Sequence, residues 1–167
     1  MKTYLILIMA PLVMVGQQNK ELPKSKVDYN TFSEITEEVL YYRQPRLIPL
    51  ETFLQFAEDP NTILLDTRSK LAYDQKHLKN AVHLNFSDFT EKKLAKLIPN
   101  KETRILIYCN NNIDGDAINF PTKSLPLALN IPTFINLYGY GYKNVYELAS
   151  LVPIKDKRIQ FTGTNVK

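Results

Sequence analysis

A run of four apolar residues, Ile105-Leu106-Ile107-Tyr108, ends on the chain's only cysteine, Cys109, and gives way to Asn110-Asn111-Asn112-Ile113-Asp114-Gly115-Asp116. An unbroken apolar run between polar residues is the pattern of a strand buried on both faces, as strands of parallel sheets are. A parallel sheet obliges the chain to cross back between strands, most often through a helix. In open sheets of this kind, ligands bind beyond the carboxyl ends of the strands. The run therefore implies both an architecture and the place where chemistry is to be sought, with Cys109 standing in that place.

The remaining chain fits the architecture. Leu47-Ile48, Thr62 to Asp66, Ala81 to Leu84 and Asn144 to Leu148 read as further strands. Helical patterns lie between and before them: Ser33 to Tyr42 with Ser33 as cap, Pro49 to Glu58, Ser69 to His77, and Asp88 to Ile98. A further one spans Lys123 to Tyr138, interrupted by Pro126 and Pro132 and stopped by Gly139 and Gly141. Strands alternating with helices predict an α/β fold, an open parallel sheet with helices on both faces.

The amino terminus reads differently. Lys2 precedes a nearly unbroken apolar run, Tyr4 to Val15, which is short for a bilayer span but fits the core of a signal peptide. Residues 1–16 are therefore expected to be a signal peptide or an uncleaved anchor, and the protein to be exported, to a bacterial periplasm. Residues 17–45 form a linker and an N-terminal helix, 46–153 the domain, and 154–167 a C-terminal tail. With 44% hydrophobic and 23% charged residues, the chain is not disordered in bulk. Its net charge of +4 is scattered among acids, so no nucleic-acid partner is assigned. A membrane partner follows only if the N-terminal segment stays attached. One cysteine permits neither an internal disulfide nor a thiolate zinc site.

Several of these segments together resemble the rhodanese-like family. Leu64-Leu65-Asp66-Thr67-Arg68, then His77-Leu78, then Ala81-Val82-His83-Leu84, is similar to that family's strand ending in Asp-x-Arg, helix, histidine turn and next strand. Ile105 to Cys109 matches the strand that delivers a cysteine to a loop, and Gly139 to Leu148 the closing turn and strand. The resemblance implies that Cys109 is a nucleophile that takes a sulfane sulfur as a persulfide and passes it to an acceptor. The nucleophile is a thiolate, which backbone N–H groups at a strand end and helix N-terminus stabilise. It also implies structural roles for Asp66, Arg68 and His77.

The loop after Cys109 departs from the family pattern. Catalytic rhodaneses place a basic residue after four loop residues, whereas this chain has Asp114 there, Asp116 soon after, and no basic residue before Lys123. Carboxylates beside a thiol raise its pKa and repel anionic donors. The family's phosphatases need an arginine after five residues, and none occurs between Cys109 and Arg158, which sets that chemistry aside. Asn110-x-Asn112-x-Asp114-Gly115 matches half of a calcium loop, but Pro121 takes the closing glutamate's place, so turn chemistry is the reading adopted.

The sequence thus predicts a rhodanese-type sulfurtransferase carrying a persulfide on Cys109. Asn110, Asn111, Asn112, Asp114, Gly115 and Asp116 form its active-site loop. It takes no cofactor and no metal, and its partner is a small sulfur donor or acceptor or a protein thiol. The alternative is a non-catalytic binding module that uses the long loop for recognition. The sequence leaves open whether the chain is an enzyme.

Overall fold

Among the described residues, regular structure starts at Asp28, whose carboxylate accepts hydrogen bonds from Thr31 N (3.0 Å) and Thr31 Oγ1 (2.7 Å). This doubly anchored cap starts helix α1 (Tyr29–Tyr42) ahead of the expected cap at Ser33. The structure is a computed structural model that describes residues 21–166, so the apolar segment read as a signal peptide lies outside the described residues.

Strand β1 (Leu47–Ile48), helix α2 (Leu50–Ala57) and strand β2 (Thr62–Asp66) follow where the sequence places them. Ser69 caps helix α3 (Lys70–Gln75), which ends before His77 because Lys76 is extended and His77 enters strand β3 (His77–Leu78). After strand β4 (Val82–His83), a tight turn at Phe86–Asp88 displaces the next helix. Helix α4 (Glu91–Leu97) starts at the Thr90 cap rather than at Asp88. Strand β5 (Arg104–Tyr108) leads to a single turn, Asn110–Asn112, and to the short strand β6 (Ile113–Asp114).

The predicted helix from Lys123 is shorter than expected. Pro126 sits in a tight turn, Leu125–Leu127, and helix α5 (Asn130–Gly139) begins only at Asn130. Pro132 falls in its first turn, where a missing N–H breaks no helical bond. The helix ends as Gly141, at φ +86°, lets Gly141 N and Tyr142 N bond back to Tyr138 O and Leu137 O. Strands β7 (Val145–Leu148), β8 (Val152–Pro153) and β9 (Phe161–Thr162) complete the chain.

Five strands form one sheet in the order β1-β7-β5-β2-β4, every pair parallel. Because side chains alternate along a strand, β5 feeds two apolar layers. Ile105 and Ile107 pack with Val39 of α1, Leu94 of α4 and Phe134 of α5. Leu106 and Tyr108 pack on the opposite face with Phe53 of α2. Helices thus cover both faces of the sheet, as the sequence pattern predicts.

The tail folds back onto the domain. Strand β9 pairs antiparallel with β3, and Thr164 N and Asn165 N donate to Asp74 O and Gln75 O. Gly163 permits this approach: its φ is +139°, and a Cβ there would lie 2.4 Å from Gln75 O. Gly163→Ala is expected to lift the tail and cost about 1–3 kcal/mol, read as a lower denaturation midpoint. An unchanged midpoint would show that the tail adds nothing to stability.

Candidate functional site

Cys109 leaves the carboxyl end of β5 in an extended conformation and is 1% exposed. It lies in a pocket of about 250 Å³ whose walls come from the turn that closes α1, from β1, the turn after Cys109, the segment that enters α5, and β7. The Asn112 side chain ties these walls together. Its Oδ1 accepts from Cys109 N and from Asn130 Nδ2, both at 2.9 Å, and its Nδ2 donates to Leu148 O at 2.8 Å. Asn130 Nδ2 also reaches Glu147 Oε1 at 3.2 Å. Glu147 accepts two hydrogen bonds from Arg43, from Nε at 2.5 Å and from the guanidinium end at 2.9 Å. A chain of polar contacts therefore runs from Arg43 through Glu147, Asn130 and Asn112 to the backbone of Cys109.

The electrostatics of the thiol follow from this setting. Burial is the largest influence and pushes its pKa up. Hydrogen bonding from the backbone N–H groups of Asn130, Asn111 and Leu129 pulls the pKa down, while the Glu147 carboxylate pushes it up again. The balance leaves the thiol above its ordinary value. The N–H cradle comes from two places in the chain, the turn after Cys109 and the start of α5.

The residues expected to form one active-site loop separate in space. Asn111 and Asn112 line the Cys109 pocket. Asn111 also exchanges hydrogen bonds with Lys123, Nδ2 to O at 2.8 Å and Lys123 N to Oδ1 at 3.0 Å, which pins the segment that returns toward α5. Asn110 faces a neighbouring cavity beside Arg68. Asp114 is exposed on β6, which pairs with β8, and Gly115 follows it out. Asp116 is bound by Lys76 Nζ at 2.8 Å and by Asn119. Burial works to raise the Asp116 carboxyl, but Lys76 and Asn119 hold it below the usual range. The carboxylate beside the sulfur is thus Glu147, rather than Asp114 or Asp116.

The three support residues lie outside the pocket lining. Asp66 and Arg68 form a buried ion pair at 2.7 Å. The Tyr108 hydroxyl donates to Asp66 at 2.5 Å and accepts from Leu78 N at 3.0 Å. Arg68 donates onward to Lys76 O and Asn119 O, so this group locks the ends of β2 and β5 to β3 and the loop before α5. His77 bonds Tyr73 O through Nδ1 at 2.6 Å and stacks on the Tyr73 ring, fixing the α3–β3 turn.

Arg43, Asn130 and Glu147 were not legible as site residues. Glu147 left one signal, a charge inside the otherwise apolar strand Val145-Tyr146-Glu147-Leu148. A charge placed so is buried only with a partner, but nothing local points to Arg43, 104 residues away.

A parallel sheet with a cysteine at the end of its central strand, above a buried Asp-x-Arg lock, defines a rhodanese-like domain. The family model for that domain matches residues 50–150, and the chain belongs to this family. Among curated proteins it is similar to the tRNA uridine(34) hydroxylases of Legionella pneumophila strains Corby and Lens. It is 38% identical to each over 101 residues, which is 59% of this chain and 34% of either relative. The chain thus spans about a third of the length of these relatives. Among solved structures, the BH2092 protein of Bacillus halodurans shares the fold, with a TM-score of 0.51 and 16% identity over 77% of this chain and 85% of that one.

Proposed function

We propose that this domain is a sulfane-sulfur carrier of the rhodanese type, loaded on Cys109. The supporting observation is the buried thiol at the end of β5, in a pocket of about 250 Å³ beside the turn after Cys109 and the segment that enters α5, whose backbone N–H groups act to lower its pKa. In the reaction the Cys109 thiolate attacks the outer sulfur of a donor. The new S–S bond forms on Cys109 as the donor's bond to that sulfur breaks, and the leaving group departs with the electron pair. An acceptor nucleophile then attacks the outer sulfur of the persulfide and regenerates the thiolate. The N–H cradle stabilises the anion at both stages. The name of the Legionella relatives describes proteins about three times as long as the matched part, so the reading covers the shared domain and leaves RNA hydroxylation aside. The apolar N-terminal run supports export of this carrier, which cell fractionation tests.

Purified protein offered thiosulfate and an alkyl persulfide in separate reactions is expected to gain, from at least one of them, the mass of one sulfur atom on the peptide containing Cys109. Cys109→Ser abolishes the gain. No gain from either donor would overturn the reading.

A second reading, a binding module, rests on a separate observation. Ile118, Leu125 and Leu127 are 82%, 79% and 70% exposed on the segment that returns to α5, beside the pocket. If the surface rather than the thiol carries the function, a partner binds Cys109→Ser as tightly as wild type and is lost when these three residues are made polar.

A further inference from the structure

Arg43 belongs to the turn that closes α1, ahead of the matched domain at residues 50–150. It nevertheless lines the Cys109 pocket together with Glu147 and makes two hydrogen bonds to that carboxylate. The charged or titratable side chains lining the pocket are Arg43, Glu147 and Cys109 itself, and the remaining lining is asparagine, leucine and alanine. Arg68, beneath the neighbouring Asn110, is already spent on Asp66. Glu147 is buried, while the Arg43 side chain is one-third exposed. The pair is therefore part of the pocket wall and not a surface contact that solvent dissolves.

We infer that the Arg43–Glu147 pair sets the charge of the Cys109 pocket at zero, so that the donor it admits is a weakly charged persulfide rather than a small dianion such as thiosulfate. This rests on the sulfur-carrier reading and names its substrate class. A dianion entering the pocket meets one cation whose charge is already matched, and a carboxylate beside the thiol. A persulfide R–S–SH meets no such opposition. The Cys109 thiolate attacks its outer sulfur, the new bond gives Cys109–S–SH, and the old S–S bond breaks with its electron pair on R–S⁻. The proton of the donor stays on the transferred sulfur, and no oxidant or reductant is consumed. Arg43 is thus a specificity-determining residue contributed by the N-terminal helix.

The test measures pocket charge with and without sulfur chemistry. Cys109 is alkylated in parallel with iodoacetate, an anion, and iodoacetamide, its neutral counterpart, and the ratio of the two rates is compared across variants. Glu147→Gln keeps the side chain's shape and frees the positive charge of Arg43. It is expected to raise the iodoacetate-to-iodoacetamide ratio about fivefold or more at low salt. Arg43→Gln bares the carboxylate and lowers the ratio by a similar factor, Arg43→Lys restores it, and the double variant Arg43→Gln/Glu147→Gln returns near wild type. A purely structural role for the pair would open the pocket to both reagents alike and leave the ratio unchanged, which overturns the inference. If Arg43→Gln fails to fold, the sign of the Glu147→Gln change decides alone.

Loading is then measured by mass with thiosulfate and with an alkyl persulfide on the same proteins. The thiosulfate-to-persulfide ratio is expected to rise about fivefold in Glu147→Gln. If alkylation ratios shift as stated but no donor loads any variant, the pocket charge stands and the carrier reading fails. If sulfur loads and no ratio moves, the carrier reading stands and the charge inference fails.

Discussion

Asp66→Ala is expected to cost about 3–5 kcal/mol of stability, the typical penalty for breaking a buried ion pair by removing one member. For a domain of this size that is a fall of roughly 6–20 °C in melting temperature. The Asp66 side chain is fully buried and that of Arg68 is 2% exposed, so the guanidinium left behind has little water to turn to. Burial works to depress the Arg68 pKa, but the hydrogen bonds and charge of Asp66 reverse this, and the guanidinium sits above its ordinary value. Asp66 also accepts from the Tyr108 hydroxyl, so the change leaves a second buried group without its acceptor. Thermal and urea unfolding of the purified variant measure the loss. The double variant Asp66→Ala/Arg68→Met removes the stranded charge and is expected to recover part of it. If Asp66→Ala alone unfolds within about 1 kcal/mol of wild type, the lock is not what holds the strand ends together.

That lock is legible in the sequence, and the reason is physical. Asp66 and Arg68 sit two residues apart at the end of an apolar strand, so the sequence pattern itself brings them together: Arg68 N and Nε both donate to Asp66 Oδ1. The strands β2 and β5 were legible for a similar reason: burial on both faces writes an unbroken apolar run. The pocket was only half legible. Asn110 to Asp116 were expected to form one active-site loop, but Ile113 is buried and pairs beside Val152, which carries Asp114 and Gly115 away from the sulfur. The cradle is then completed by the N-terminus of α5, which local spacing does not reveal. Helix limits shifted to the residue that caps: Asp28 lies ahead of the expected cap at Ser33, and Thr90 lies inside the expected stretch Asp88 to Ile98. Arg43 and Glu147 meet only because α1 packs against α5 near β7, a tertiary fact with no trace in the spacing of either residue.

Alkaline pH is expected to expose the state of Cys109 directly. Burial raises the thiol's pKa in the folded protein, more than the facing N–H groups lower it. Iodoacetamide should therefore react slowly at neutral pH and accelerate about tenfold per pH unit toward a midpoint above that of a free thiol, ordinarily about 8.5. Stability must follow with a definite sign. Below the unfolded chain's pKa, both states hold the proton and the full stability is present. As pH rises past that value, the unfolded chain releases its proton first, and stability falls until the higher folded pKa is passed. Tyr108 acts in the same direction at still higher pH, because burial first and then the Asp66 charge raise its phenol well above the ordinary range. Urea unfolding from pH 7 to 10 should thus show a declining stability, with a shallower decline in Cys109→Ser. The carrier reading adds a link between the two measurements. Since the thiolate is the nucleophile, the rate of sulfur loading must rise with pH in parallel with alkylation, and Glu147→Gln must shift both midpoints down together. A loading rate that stays flat from pH 7 to 9 while alkylation climbs would mean that the thiolate of Cys109 is not the reacting group.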